Sequence, residues 1–317
     1  MRDGAAGEAG AGGEELAEAA GGSAEDRLSI TFWGVRGSIP APGPSTLRYG
    51  GETTALEIHA GPHMVIVDCG SGARRLGLDL AARGVDRIDL LFTHTHLDHV
   101  CGLPFFCPAY DPAVAVNLWA GHLPPGGSLE EIVARLMSPP IFPVPTTALR
   151  ATSFRSFRAG ETILVRPEFE VRTVPLNHPG DATGYRFDWR GSSLAVITDH
   201  EHGNPARDDA IAAFVDGCDV MVYDAMYTEA EYPRHVGWGH STPERAIALA
   251  EAGSVKMPVL FHHDPRRDDE ALDRIRRDVK ARFPAAEVAR EGMTIGVVHG
   301  RPEVDATAAA GHGTHEG

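Results

Sequence analysis

At 317 residues the chain could form one large domain or two ordinary ones, and a formal net charge of −15 leaves little basic surface for gripping a phosphate backbone. Residues 1–27 hold 7 acids and 2 bases, and residues 302–317 hold 3 acids and no base, which leaves −7 on the body and disfavours a long RNA or DNA substrate. No run reaches the ~18 apolar residues of a membrane span, and no basic stretch followed by an apolar one marks a leader. Cys69, Cys101, Cys107 and Cys218 lack C-x-x-C spacing, so a soluble, cytoplasmic protein with reduced thiols is expected.

Residues 1–27 are almost entirely Ala, Gly and Glu, too poor in apolar surface to offset ordering entropy, and a disordered acidic tail is expected there. Strand-like runs follow at Leu28–Trp33, Ala55–Ile58, Met64–Asp68 and Ile88–Phe92, with a helical pattern at Ala73–Arg83 closed by Gly84. Residues 102–157 form a Pro-rich, aromatic insertion containing one strand-like run, Val114–Trp119, and a short helix, Leu129–Met137. It either packs a small core of its own or walls the pocket with Phe142 or Tyr110 against a ring of the substrate. Strands at Phe169–Pro175, Gly184–Asp188, Ser193–Thr198, Val220–Tyr223 and Pro258–Phe261 then alternate with helices at Asp208–Val215, Pro243–Glu251 and Glu270–Arg282. Residues 302–317 form a second tail, leaving 28–301 as the folded domain. Hairpins followed by alternating strands and helices imply an α/β fold of stacked mixed sheets flanked by helices.

The chemistry concentrates in Thr93-His94-Thr95-His96-Leu97-Asp98-His99, directly after a strand. His94 and His96, two residues apart on extended chain, point the same way, and a turn at Leu97 swings Asp98 and His99 toward a second position. Imidazole and carboxylate ligands suit zinc, manganese or iron, and a pair of such ions can activate water. Other polar groups also end strands: Asp68 after Val65–Val67, Asp199 after Leu194–Thr198, and His262 after Val259–Phe261. Strand ends are where open α/β sheets gather their sites. An Asp placed like Asp199 is costly unless paired or bound to metal. His262 and His263 face opposite sides of an extended segment, so only one can reach the metals, and spacing does not decide which. The pair Arg266-Arg267 lies just beyond. In Gly239-His240-Ser241-Thr242, Glu244 stands three after Ser241 and Pro243 enters the first turn, as in a capping box.

The H-x-H-x-D-H run after an apolar strand resembles the signature of the metallo-β-lactamase fold, and the likeness extends from about Ile30 to about Val298. Gly34–Pro40 and Arg48–Thr53 are similar to the N-terminal signature of its phosphodiesterase branch, which includes phosphoribosyl cyclic phosphodiesterases and ribonuclease Z. The resemblance implies a four-layer αββα sandwich holding two divalent metal ions, zinc foremost, with manganese and iron as alternatives. It assigns His94, His96 and His178 to one metal, and Asp98, His99, Asp199 and His262 to the other, Asp199 bridging the two. The ribonuclease Z pattern laid over Leu260-Phe261-His262 selects His262 above His263. Asp199 occupies the position where β-lactamases proper carry Cys, which argues against lactam substrates. Asp68 is implied to orient a metal-bound His. A similar G-H-S-T segment in ribonuclease Z carries a His near the scissile phosphate, supported by a carboxylate upstream. His240 and Asp224 are the counterparts here, Asp replacing Glu, and with Asp98 they form the implied catalytic set. The implied reaction is attack by a metal-bridging hydroxide on a small cyclic phosphodiester or cyclic nucleotide, with no long nucleic acid as partner; a homodimer is compatible. Thioester or lactone hydrolysis on the same metal pair, and a catalytically silent regulatory module, are the alternatives.

Overall fold

In the computed structural model, which describes residues 24–305, the apolar runs build two sheets. The strands are β1 (Leu28–Gly34), β2 (Ala55–Ala60), β3 (His63–Val67), β4 (Arg87–Phe92), β5 (Ala115–Ala120), β6 (Thr152–Ser156), β7 (Thr162–Arg166), β8 (Phe169–Leu176), β9 (Ala182–Trp189), β10 (Ser192–Ile197), β11 (Val220–Asp224), β12 (Met257–Phe261), β13 (Glu287–Val288), β14 (Thr294–Val298) and β15 (Arg301–Val304). One sheet runs β15-β14-β1-β2-β3-β4-β5-β6 and the other β13-β12-β11-β10-β9-β8-β7. Each begins as antiparallel hairpins and continues as parallel strands, from β3 to β6 and from β10 to β13.

The two sheets bury Ile30, Phe32, Ile58 and Val67 of one against Val171, Phe187, Val222 and Phe261 of the other. Helices Ala73–Ala82 and Leu129–Leu136 cover the outer face of the first sheet through Leu76, Leu80, Leu129 and Val133. Helices Pro205–Val215, Pro243–Ala252 and Asp269–Arg282 cover the second through Phe214, Ile247 and Leu272. The result is the αββα sandwich, and its parallel strands all deliver their C-terminal ends to one edge.

Two boundaries differ from expectation. Residues 102–157 are not a separate insertion. They supply β5 and β6 to the first sheet, and Leu103, Phe106, Val116 and Met137 join the same outer core as Leu76. Tyr110 donates to Pro104 O, and Phe142 packs edge-on against Phe105. The expected break at residue 302 falls inside β15, an edge strand where Pro302 loses no ladder bond that a central strand would need. Its partner β14 escaped notice because Gly296 interrupts the apolar run. Its lack of a side chain leaves room for the Arg27 guanidinium, which would stand 2.2 Å from a Cβ there.

Arg27 in turn donates to both carboxylate oxygens of Asp305, at 2.6 and 2.7 Å, and Trp189 Nε1 donates to Glu25 O. Of the expected tails 1–27 and 302–317, residues 1–23 and 306–317 lie outside the described residues, but Glu25–Arg27 belong to the body. Truncation after residue 27 is therefore expected to lower the melting temperature by a few degrees relative to truncation after residue 23. A lost charged hydrogen-bond pair of this kind is worth about 1.5–3 kcal/mol, and paired thermal melts of the two truncations check it.

Candidate metal centre

Three polar residues leave their strands in the left-handed region: Asp68 (φ 62°) after β3, Asp199 (φ 61°) after β10 and His262 (φ 60°) after β12. That backbone costs L-residues about 1–2 kcal/mol and turns each side chain off the strand line. All three are buried, at the edge where β4 delivers His94.

The first cluster is His94, His96 and His178, whose nitrogens are close enough to share one metal ion. His94 Nδ1 lies 3.1 Å from Thr93 Oγ1, and its buried Nε2 has no hydrogen-bond partner. His178 Nδ1 donates to Gly239 O at 2.8 Å, leaving Nε2 3.0 Å from His96 Nδ1. Gly239 (φ 86°) fits only as glycine, because a Cβ would meet His178 Nδ1 at 2.1 Å. Burial holds His94 and His178 below the ordinary histidine range, so both stay neutral, the form a metal needs.

The second cluster is Asp98, His99 and His262. The short helix Leu97–Val100 turns Asp98 and His99 inward, as the turn at Leu97 required. Asp98 Oδ2 accepts from Ser38 N at 2.7 Å and faces His99 Nε2 and His262 Nε2, each at 3.3 Å. Asp68 accepts from Thr93 N, Thr93 Oγ1 and His99 Nδ1, at 2.8, 2.8 and 2.7 Å, so it orients His99 and leaves Nε2 free. Burial raises the Asp68 carboxyl despite these bonds. Burial would raise Asp98 as well, but the His99 and His262 imidazoles win and hold it well below the usual carboxylate range.

Asp199 stands between the clusters. Its Oδ1 faces His99 Nε2 at 3.3 Å and His262 Nε2 at 3.2 Å; its Oδ2 faces His94 Nε2 at 3.7 Å and His178 Nε2 at 3.6 Å. One oxygen is thus turned to each group. Surrounding imidazoles overcome burial and keep Asp199 ionised.

His240 closes the site, stacked 5.0 Å from His262, its Nδ1 donating to Asp224 Oδ2 at 2.8 Å. Burial depresses His240, yet the Asp224 carboxylate outweighs it and lifts the pKa to about 9. The helix behind it is capped by Thr242, whose hydroxyl accepts from Arg245 N, rather than by Ser241 as expected. Pro243 at the first helical position fixes that register, and Ser241 Oγ instead meets His202 Nδ1 at 2.7 Å.

His263 faces away, donating from Nε2 to Ala289 O, and burial pushes it down to about 3. Arg266 is paired with Asp264, and Arg267 with Glu231 and Met226 O, so neither is a free basic patch. His200 and His202 brace the loops through Asn177 N and Ser241. One important residue went unread: the buried Glu201 carboxylate accepts from Gly237 N and Gly239 N at 2.7–2.9 Å, fixing the carbonyl that orients His178. Its partners lie more than thirty residues away, so no local pattern signals it.

The donor set fits divalent cations. Buried Nε2 atoms on His94 and His99 without hydrogen-bond partners would each cost about 1–3 kcal/mol if left unused, and they lie beside ionised carboxylates in groups of metal-binding size. No helix among the described residues is long and apolar enough to cross a membrane.

Residues 63–263 match the family described as "Beta-lactamase superfamily domain". Ribonuclease Z of Bradyrhizobium sp. (strain ORS 278) is 24% identical, over 83% of this chain and 98% of its own length. The metallo-beta-lactamase fold protein YhfI from Bacillus subtilis superposes with a TM-score of 0.66 at 14% identity, over 86% of this chain and 100% of that one. The short form of human tRNase Z gives 0.60 at 18%, over 84% and 98%. At those identities the two structures establish the fold.

The relatives correct one expectation. Two of them are by name nucleases of RNA and tRNA, so a small phosphodiester or cyclic nucleotide as partner, with long nucleic acid disfavoured, does not stand. The physical error was to let net charge speak for the site. Salt screens exposed charges beyond ~10 Å, so a phosphate at the strand ends responds to the groups around it rather than to acids spread over the whole body. The chain belongs to the beta-lactamase superfamily, as a metal-dependent hydrolase of the metallo-β-lactamase fold on the branch it shares with ribonuclease Z.

Proposed function

We propose that the protein hydrolyses phosphodiester bonds of RNA, using two divalent metal ions, zinc foremost. The observation that carries this reading is Asp199, with one carboxylate oxygen toward His99 and His262 and the other toward His94 and His178. His94, His96 and His178 would hold one ion; Asp98, His99 and His262 the other; and Asp199 both. Bound there, the ions supply an activated water and neutralise charge on the phosphoryl oxygens.

The chain's own groups do the rest. Asp68 fixes His99 with its Nε2 inward, and Gly239 O does the same for His178. Ser38 N anchors Asp98. With Nδ1 committed to Asp224 and a pKa of about 9, His240 is an imidazolium at neutral pH, able to give its Nε2 proton to the leaving oxygen. As the water oxygen bonds to phosphorus, the bond from phosphorus to that leaving oxygen breaks, and the proton from His240 converts it to a hydroxyl. Four unpaired cysteines support a reducing, cytoplasmic setting.

The zinc- or manganese-loaded protein is expected to hydrolyse bis(p-nitrophenyl) phosphate faster than p-nitrophenyl acetate, relative to each uncatalysed rate, and to shorten a single-stranded RNA oligonucleotide. EDTA should abolish both phosphodiester activities. A preference for the acetate, or activity that survives metal removal, would refute the reading.

A further inference from the structure

A cavity of about 340 Å³ opens beside the first histidine cluster, lined among others by His122, Arg158, Asp181 and Arg207. It is tied directly to the metal motif. His122 Nε2 lies 3.1 Å from Thr95 Oγ1, the side chain between His94 and His96, and its ring centroid is 6.4 Å from that of His94.

Three features of this cavity bear on what it can hold. His122 is only 7% exposed, and its Nδ1 has no hydrogen-bond partner. Arg158 is exposed, and its guanidinium makes no hydrogen bond or ion pair among the described residues, although the protein carries 29 basic residues against 44 acids. Arg207 reaches only Asp181, at a long 3.5 Å with both side chains partly in solvent. Burial keeps His122 neutral, its pKa down to about 4, so it adds no charge to the cavity wall.

His122 Nδ1 is shut off from solvent, so His122 walls the cavity, and an anion there would pair with the two guanidinium groups. A phosphate accepts from two planar guanidinium forks at once. We propose that this cavity binds a second phosphate of the substrate, a neighbour of the scissile one along the RNA strand. The inference rests on the RNA phosphodiesterase reading above and adds to it a grip on the strand that a single-phosphate substrate cannot use. Asp181 is the opposing group: it lines the same cavity and holds Arg207 when no phosphate is present.

The test uses the zinc-loaded full chain and the double variant Arg158→Ala/Arg207→Ala, with a short single-stranded RNA oligonucleotide and bis(p-nitrophenyl) phosphate. The variant is expected to bind RNA about tenfold more weakly, and the slope of log affinity against log salt should become shallower by roughly 0.7, the share of one single-strand phosphate. Its kcat/KM for bis(p-nitrophenyl) phosphate should stay within about twofold of the parent, which also shows that it folds. Asp181→Asn should act in the opposite direction and tighten RNA binding, since it frees Arg207 while Asn accepts the left-handed backbone at this position (φ 62°). An unchanged salt slope in the double variant, with RNA still bound, would overturn the subsite alone. A parent protein that hydrolyses bis(p-nitrophenyl) phosphate but neither binds nor cuts RNA would overturn the RNA reading, and the subsite with it.

Discussion

Asp199→Ala is expected to take metal content from about two ions per chain to below one and to abolish phosphodiester turnover. The reason is the division of its carboxylate: Oδ1 belongs with His99 and His262, Oδ2 with His94 and His178, so one truncation removes a ligand from both groups. It also leaves buried imidazoles crowded together without their counter-charge. His96→Ala touches only the first cluster, so that variant should lose about one ion. Outer partners of metal sites cost about 10–100-fold when removed, and loss of a shared ligand should exceed that. Elemental analysis of the two variants beside the parent checks the ordering. Equal metal loss in both, or an Asp199→Ala protein that keeps its metals and its rate, would contradict the shared-ligand assignment.

His240→Ala should behave in the reverse manner, keeping the metals and losing the chemistry. His240 is held by Asp224 at 2.8 Å and lies 4.0 Å from Asp199 Oδ2, at the margin of both clusters. Removing a positioned proton donor costs roughly 10²–10⁴-fold, and that loss is expected in kcat for cleavage of an RNA oligonucleotide, whose leaving alkoxide needs a proton. Hydrolysis of bis(p-nitrophenyl) phosphate should fall much less, because its leaving p-nitrophenolate needs little protonation. Metal analysis together with both assays separates the outcomes. If both activities drop equally with the ions retained, His240 is a scaffold residue and the leaving-group role is wrong.

Much of this site was legible because its residues follow strands. His94, Asp199 and His262 each stand just past an apolar run, and strand ends are fixed by patterns that a sequence displays. His262 and His263 do diverge, but through a left-handed turn at His262 (φ 60°) rather than on the extended chain expected; the inward choice of His262 came from family likeness, and the packing places it toward Asp98. Other features depend on distant partners. Glu201 is an ordinary acid until the loop 237–239 folds onto it. β14 hides behind Gly296, whose missing Cβ makes sense only once Arg27 is seen lying against it. The cap moved from Ser241 to Thr242 because both can serve in principle, and the tertiary contact of Ser241 with His202 decides between them. Substrate class was misjudged for a different reason: net charge is a sum, and a site is a place.

The left-handed backbone at Asp68, Asp199 and His262 also bears on how such a chain drifts over generations. Asn and Gly enter that conformation more easily than Asp or His. A replacement of either kind at 199 or 262 therefore deletes a ligand without adding backbone strain, and it removes some of the burden that functional sites place on folding. Backbone strain does not stand in the way of such a loss. What opposes it is the buried charge: without Asp199 the imidazoles around it lose their counter-charge, so the ligands and not the turns hold these positions as they are.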